Sequence, residues 1–207
     1  MNLFNKIKSS SSKLFNKSKS SNNIFNKKVS LHDALHSSYH PNDTENLSKK
    51  GYIKDNELSN HNQSVYYNPD DKKLLYNVAG THNKTDWGTN AMLAIGKLKS
   101  SKRYKEADNT LKKAQDKYKT DKNNTSITGH SLGGAIAQGL HNRGATTTLD
   151  AGYTIGQKTR GDAYRSKGDV VSLLGANGKH MKTLGGDIQD PLKAHNISNV
   201  KNEPIYL

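Results

Sequence analysis

Apolar positions along this chain fall into short blocks separated by Asn-, Lys- and Ser-rich stretches, and the spacing inside each block predicts its element. Leu31, Ala34, Leu35 and Tyr39 recur at helical spacing behind Ser30, whose hydroxyl can cap a helix, and Pro41 stops the run. Val65-Tyr66-Tyr67 and the block from Leu74 to Ala79 flank Asn68-Pro69-Asp70-Asp71, a turn-forming stretch. Together they read as a β-hairpin whose second strand is largely buried. That strand ends at Gly80-Thr81. Ala91 to Leu98, and then Tyr104, Ala107, Leu111, Ala114 and Tyr118, repeat with helical spacing, the second helix carrying lysines on its outer, solvated face.

Thr125 to Thr128 is a short β-prone run that leads directly into Gly129-His130-Ser131-Leu132-Gly133-Gly134 and a small-residue helix from Ala135 to Leu140. Ala145 to Leu149 and Val170 to Leu174 read as further strands. Strands alternating with helices predict an α/β domain over residues 31–207, with a mostly parallel sheet and flanking helices.

The first thirty residues have a different pattern. Leu3-Phe4-Asn5-Lys6, Leu14-Phe15-Asn16-Lys17 and Ile24-Phe25-Asn26-Lys27 repeat one unit between Ser/Lys-rich spacers. So few apolar groups cannot offset the entropy of ordering the segment, which is expected to be a disordered basic tail. A solvated terminus without a partner is the leading reading; next to it, the apolar pairs could dip into an anionic membrane surface or the lysines could pair with nucleic-acid phosphates, membrane contact being the favoured of these two.

Charge and composition narrow the chemistry. The chain has 32 Lys+Arg against 18 Asp+Glu, a formal net charge of +14, yet 28 of the basic residues are Lys and only 4 are Arg. Asn is abundant at 23, so AT-rich coding alone would give this bias, and seven of the lysines lie in residues 1–28. The basic balance is therefore weak grounds for nucleic-acid binding. Without cysteine there is neither a disulfide framework nor a thiolate metal site. No apolar run approaches the roughly 18 residues of a membrane span, so no integral membrane protein is expected, and no secretory signal is expected; between a cytoplasmic and a virion-associated protein the sequence leaves the compartment open. His32, His36 and His40 line one helical stripe that could supply two ligands of a metal but no obvious third, so a solvated helix face is expected and no metal is assigned.

Gly129-x-Ser131-x-Gly133 matches the G-x-S-x-G pattern that places a serine on a sharp turn between a strand and a helix. The local context supplies those parts in order. The backbone N–H of Leu132 would face the developing oxyanion, with the helix dipole behind it. A serine hydroxyl needs a base, and the base needs a carboxylate to orient it. In the chain order Ser, acid, His, the base must follow Ser131. His141 is carried away on the elbow helix, which leaves His180 or His195. Asp169 follows the β-prone Ala163-Tyr164-Arg165 and is the first choice of acid; Asp150, at the end of the Ala145 strand, is the second. His130 is expected to be structural.

These segments resemble one family. Gly80-Thr81 with Asp86-Trp87, Thr128 to Gly134, Gly168-Asp169-Val170-Val171 and Ala194-His195-Asn196 are similar to the class 3, fungal triacylglycerol lipase-like α/β-hydrolases over roughly residues 60–200. The resemblance looks closest to compact lipase-like proteins of large DNA viruses and their satellites. It implies Ser131 as nucleophile, Asp169 as acid, His195 as base, and Thr81 with Leu132 as the oxyanion hole. It further implies a lipid or ester substrate and no cofactor. Two features depart from the family: Ala79 stands where an arginine usually precedes the Gly-Thr pair, and the chain is short enough to leave little room for a long lid. The rival expectation is a catalytically inactive basic protein that binds lipid or nucleic acid on the same fold.

Overall fold

A computed structural model of the protein describes residues 28–82, 97–154, 157–174, 180–185 and 189–207. The tail of residues 1–27 and most of the Ala91 to Leu98 helical block lie outside these residues.

The expected first helix is α1, Leu31–Tyr39, capped by the Ser30 hydroxyl, which accepts the Asp33 N–H at 3.0 Å. A short α2, Glu45–Ser48, follows. The sheet then forms in chain order, with β2 Gln63–Asn68 antiparallel to both its neighbours, β1 Ile53–Lys54 and β3 Lys73–Val78. From β3 onward every pairing is parallel, through β4 Thr125–His130, β5 Ala145–Leu149, β6 Asp162–Ser166 and β7 Met181–Leu184. The result is a seven-stranded, mostly parallel sheet in the order β1 to β7. The helices α3, Lys102–Tyr118, and α4, Leu132–Gly139, connect parallel strands, as such crossovers require.

Side-chain alternation along β3 decides which helix lies on which face. Leu74, Tyr76 and Val78 pack with Ala107, Leu111 and Ala114 of α3 and Ile136 and Ala137 of α4. Leu75 points the other way, into a cluster with Ala34 of α1. Leu31 and Leu35 of α1 continue that opposite face onto Leu149, Tyr164 and the C-terminal Val200 and Ile205. The sheet is thus sandwiched between α1 with the C-terminal segment on one side and α3 with α4 on the other. Burying one such leucine stabilises the fold by about 1.5–3 kcal/mol. The chain ends are tied to each other as well: Leu207 N donates to Val29 O at 3.0 Å, and Ser30 bridges Tyr206.

The Val170 to Leu174 block does not form the expected strand. Asp169 turns its carboxylate back onto this stretch and accepts the Val171 and Ser172 N–H groups at 3.2 and 2.9 Å. That closes the backbone into a turn followed by a 3₁₀ segment, Ser172–Leu174. The β-branched valines read as strand, but the preceding aspartate takes the donors that a sheet ladder would need. Among the described residues no helix is long and apolar enough to cross a membrane.

Candidate active site

The parallel register of β3 with β4 brings two loop ends together. Val78 pairs with Gly129, so two residues on, Gly80 lies beside Ser131, and a side chain at Gly80 would meet Ser131 Cβ and the Tyr39 hydroxyl. Ser131 has φ 58° and ψ −126°, a conformation that costs a non-glycine residue of order 1–3 kcal/mol and is held by its surroundings. Its N–H donates to Leu149 O at 3.2 Å, and its carbonyl accepts from Ala135 N at 3.0 Å and Gly152 N at 3.1 Å. The turn is possible because Gly129 packs against the Gly133 carbonyl and Gly133 against the Val78 carbonyl, where no Cβ fits. Ser131 Oγ is buried and has no hydrogen-bond partner among the described residues. Leu132 opens α4, so its N–H is one of the helix's first donors, without an intrahelical acceptor.

His195 follows α5, Pro191–Ala194, and its N–H is fixed by Pro191 O at 3.0 Å. Its Nδ1 lies 2.7 Å from Asp169 Oδ1, and both side chains are buried. Asp169 also takes the Ser172 hydroxyl at 2.5 Å. Burial pushes the Asp169 carboxyl up, but the His195 contact and the Ser172 donors outweigh it and hold the group below its ordinary value. The ring of His130, the residue immediately before Ser131, lies 4.5 Å from the ring of His195. The structure thus brings His195 to Asp169 and to the strand end that carries Ser131. His180 is exposed at the sheet's far side, its carbonyl accepting from Ala163 N at 3.1 Å.

Asp150, the second-choice acid, occupies a different position. It sits at φ 46° just past β5, wholly buried, and accepts the Ser166 N–H at 2.6 Å and the Ser166 hydroxyl at 2.8 Å. Burial and the nearby Asp169 charge raise its carboxyl well above the ordinary range. Of the two carboxylates it is Asp169 that holds the imidazole.

Two residues to which the sequence assigns no role at the site, Tyr39 and Arg103, shape the Gly80-Thr81 end. The Tyr39 hydroxyl accepts the Gly80 N–H at 2.9 Å and shares a hydrogen with His130 Nδ1 at 2.7 Å. Burial, followed by the neighbouring His195, keeps His130 neutral by lowering its pKa well below 6.5. The Arg103 guanidinium, from the first turn of α3, donates to the carbonyls of Ala79 and Gly80. Arg103 thereby brings a cation to the loop that lacks an arginine at Ala79. In the sequence Tyr39 reads only as the end of an apolar stripe, and neither position carries a local signal for this contact.

The histidines at 32, 36 and 40 stack along α1, with ring centroids 5.7 and 4.3 Å apart, and His36 Nε2 lies 3.0 Å from Asp43. A separate cleft of about 810 Å³ lies towards the other end of α4, lined by Lys97, Lys99, Gln138, His141, Lys158 and Arg160. Ala135, one turn past Ser131, reaches its wall, but Ser131 itself does not line that cleft.

No protein-family model matches the chain, and no curated protein matches it in sequence. Among solved structures it is similar to a Rhizomucor miehei lipase propeptide complex, with 14% identity and a TM-score of 0.47 over 78% of this chain and 66% of that one. This chain therefore spans slightly less than two thirds of that protein's length. It is also similar to Lip2 lipase from Yarrowia lipolytica, with 15% identity and a TM-score of 0.43 over 81% of each chain. A triacylglycerol lipase from Penicillium expansum aligns with 16% identity and a TM-score of 0.44, over 78% of this chain and 80% of that one.

Proposed function

We propose that this protein is a serine hydrolase that cleaves carboxylic esters, lipid acyl esters in particular, through an acyl-serine intermediate. Ser131 is the nucleophile, His195 the base, and Asp169 the acid that orients it. The backbone N–H groups of Thr81 and Leu132 are the oxyanion donors. One observation carries the reading: an imidazole anchored by a buried carboxylate at 2.7 Å packs against the residue next to a serine held on a strained strand-to-helix turn.

The chemistry follows from the roles. His195 takes the Ser131 proton as Oγ attacks the acyl carbonyl, and the C–O bond to the alcohol breaks as the imidazolium returns that proton to the leaving oxygen. A water, deprotonated by the same ring, then releases the acid and restores the serine. Asp169 stabilises the imidazolium in both halves. Each oxyanion donor is worth roughly 2.7–4 kcal/mol in the transition state.

The lipid part of the proposal has support at the rim. Val170 and Leu173, both in the segment that follows Asp169, are 45% and 58% exposed, an apolar edge beside the acid. The lysine-rich residues 1–28 are proposed to rest on an anionic membrane, next to such substrates.

The test is hydrolysis of p-nitrophenyl esters of graded chain length by wild type and Ser131→Ala. Turnover that Ser131→Ala abolishes is the expected result. Turnover that persists in Ser131→Ala, or none in folded wild type, goes against the proposal and favours the non-catalytic binding protein.

A further inference from the structure

Two buried groups beside His195 take no part in the ester chemistry. His130 is 6% exposed, and its Nε2 has no hydrogen-bond partner among the described residues. Asp150 is 0% exposed and takes hydrogen bonds only from Ser166 among the described residues. One nitrogen of each ring, His130 and His195, and one Asp150 carboxylate oxygen all lie within 4.8 Å of one another.

The geometry points to a binding site for a borderline-soft divalent cation such as Zn²⁺, formed by His130, Asp150 and His195, whose occupation switches off the ester-cleaving centre. Two imidazoles and one carboxylate form a donor set suited to Zn²⁺ or its transition-metal neighbours, whereas Ca²⁺ and Mg²⁺ prefer oxygen ligands throughout. Three protein ligands leave a fourth position for water. Nδ1 of each ring is already tied to a neighbour, so the ion is met by Nε2 in both.

The outer shell of such a site is in place. Metal-bound histidines almost always use the second ring nitrogen to donate to a carboxylate or another oxygen. His195 has Asp169 there at 2.7 Å, and His130 has the Tyr39 hydroxyl at 2.7 Å, an oxygen able to accept from both His130 and Gly80. Ser166 fixes the carboxylate. Tetrahedral Zn²⁺ with bonds near 2.1 Å needs ligand atoms about 3.4 Å apart, so no pair has to close by more than about 1.4 Å on binding. The ion displaces any proton that Asp150 holds.

Inhibition rests on the role proposed for His195, because an Nε2 bound to metal cannot take the Ser131 proton. Binding itself does not rest on it. The experiment therefore titrates Zn²⁺ by calorimetry into full-length Ser131→Ala protein that also carries His36→Gln, which breaks the α1 histidine stripe. One ion per chain is expected, with affinity lowered at least about tenfold by Asp150→Asn and by His130→Gln. Wild type should lose activity on a soluble p-nitrophenyl ester over the same Zn²⁺ range.

Circular dichroism checks that each variant folds; if one does not, the other decides, together with a Zn²⁺-dependent rise in the parent's melting temperature. No binding, or an affinity that a folded Asp150→Asn or His130→Gln variant leaves unchanged, overturns the site. Binding without inhibition of an active enzyme overturns the switch. A protein without esterase activity whose Zn²⁺ affinity still depends on Asp150 and His130 refutes the proposed hydrolase while supporting the metal site.

Discussion

The hydroxyl of Tyr39 on α1 accepts the backbone N–H of Gly80, 41 residues away in the chain, at 2.9 Å. A helix on one face of the sheet thereby sets the end of β3, where the proposed oxyanion donor of Thr81 begins. Tyr39→Phe keeps the ring packing and removes only the hydroxyl. We expect kcat on a soluble ester to fall about tenfold with KM little changed, since a displaced oxyanion donor acts in the transition state. An unchanged kcat would remove Tyr39 from the account.

Arg103 supports the same loop from the other side, through the Ala79 and Gly80 carbonyls. A planar guanidinium reaches two acceptors that an ammonium serves poorly. Arg103→Lys should therefore lower kcat severalfold, and Arg103→Met more, each read by steady-state kinetics. Equal activity in all three proteins would show that the loop holds itself.

The two buried aspartates should separate cleanly. Asp169→Asn leaves His195 without its orienting carboxylate and is expected to reduce kcat by about 10⁴. Asp150→Asn leaves the His195–Asp169 contact in place, and its kcat should remain within about tenfold of wild type. If Asp150→Asn were the more damaging change, the acid would have to be reassigned.

His130 gives the fold a pH dependence whose sign is set by its lowered pKa. The folded protein keeps this ring neutral, whereas the unfolded chain takes up a proton there as pH falls below 6.5. Stability at this residue is therefore present above that value and is lost as pH falls below it. Urea unfolding at pH 7.5 and 5.5 should show a smaller acid destabilisation in His130→Gln than in wild type. Equal losses in both proteins would contradict the buried, neutral ring.

Much of this architecture was legible in the sequence, and the parts that were not share a physical cause. Local signals predicted α1, the β2–β3 hairpin, α3 and the strand-turn-helix around Ser131, because caps, periodicity and glycines act within a few residues. Two-residue β1 and four-residue β7, Met181–Leu184, carry too little pattern to announce themselves. Val170-Val171 read as strand because the competing donor network comes from the side chain of Asp169. Asp169 and His195 were reached through chain order and family resemblance, and their contact spans 26 residues. The bond from Tyr39 to His130 spans 91 residues and has no local signature, so only the folded sheet reveals it.

The most direct test of the central claim is covalent labelling of the native protein with a fluorophosphonate, followed by peptide mass mapping. Attack on phosphorus requires a serine that a neighbouring base has activated. The account predicts a single adduct on Ser131 in wild type, nearly absent in His195→Ala and absent in Ser131→Ala. Labelling at another serine, or labelling of Ser131 at full rate in His195→Ala, would contradict it.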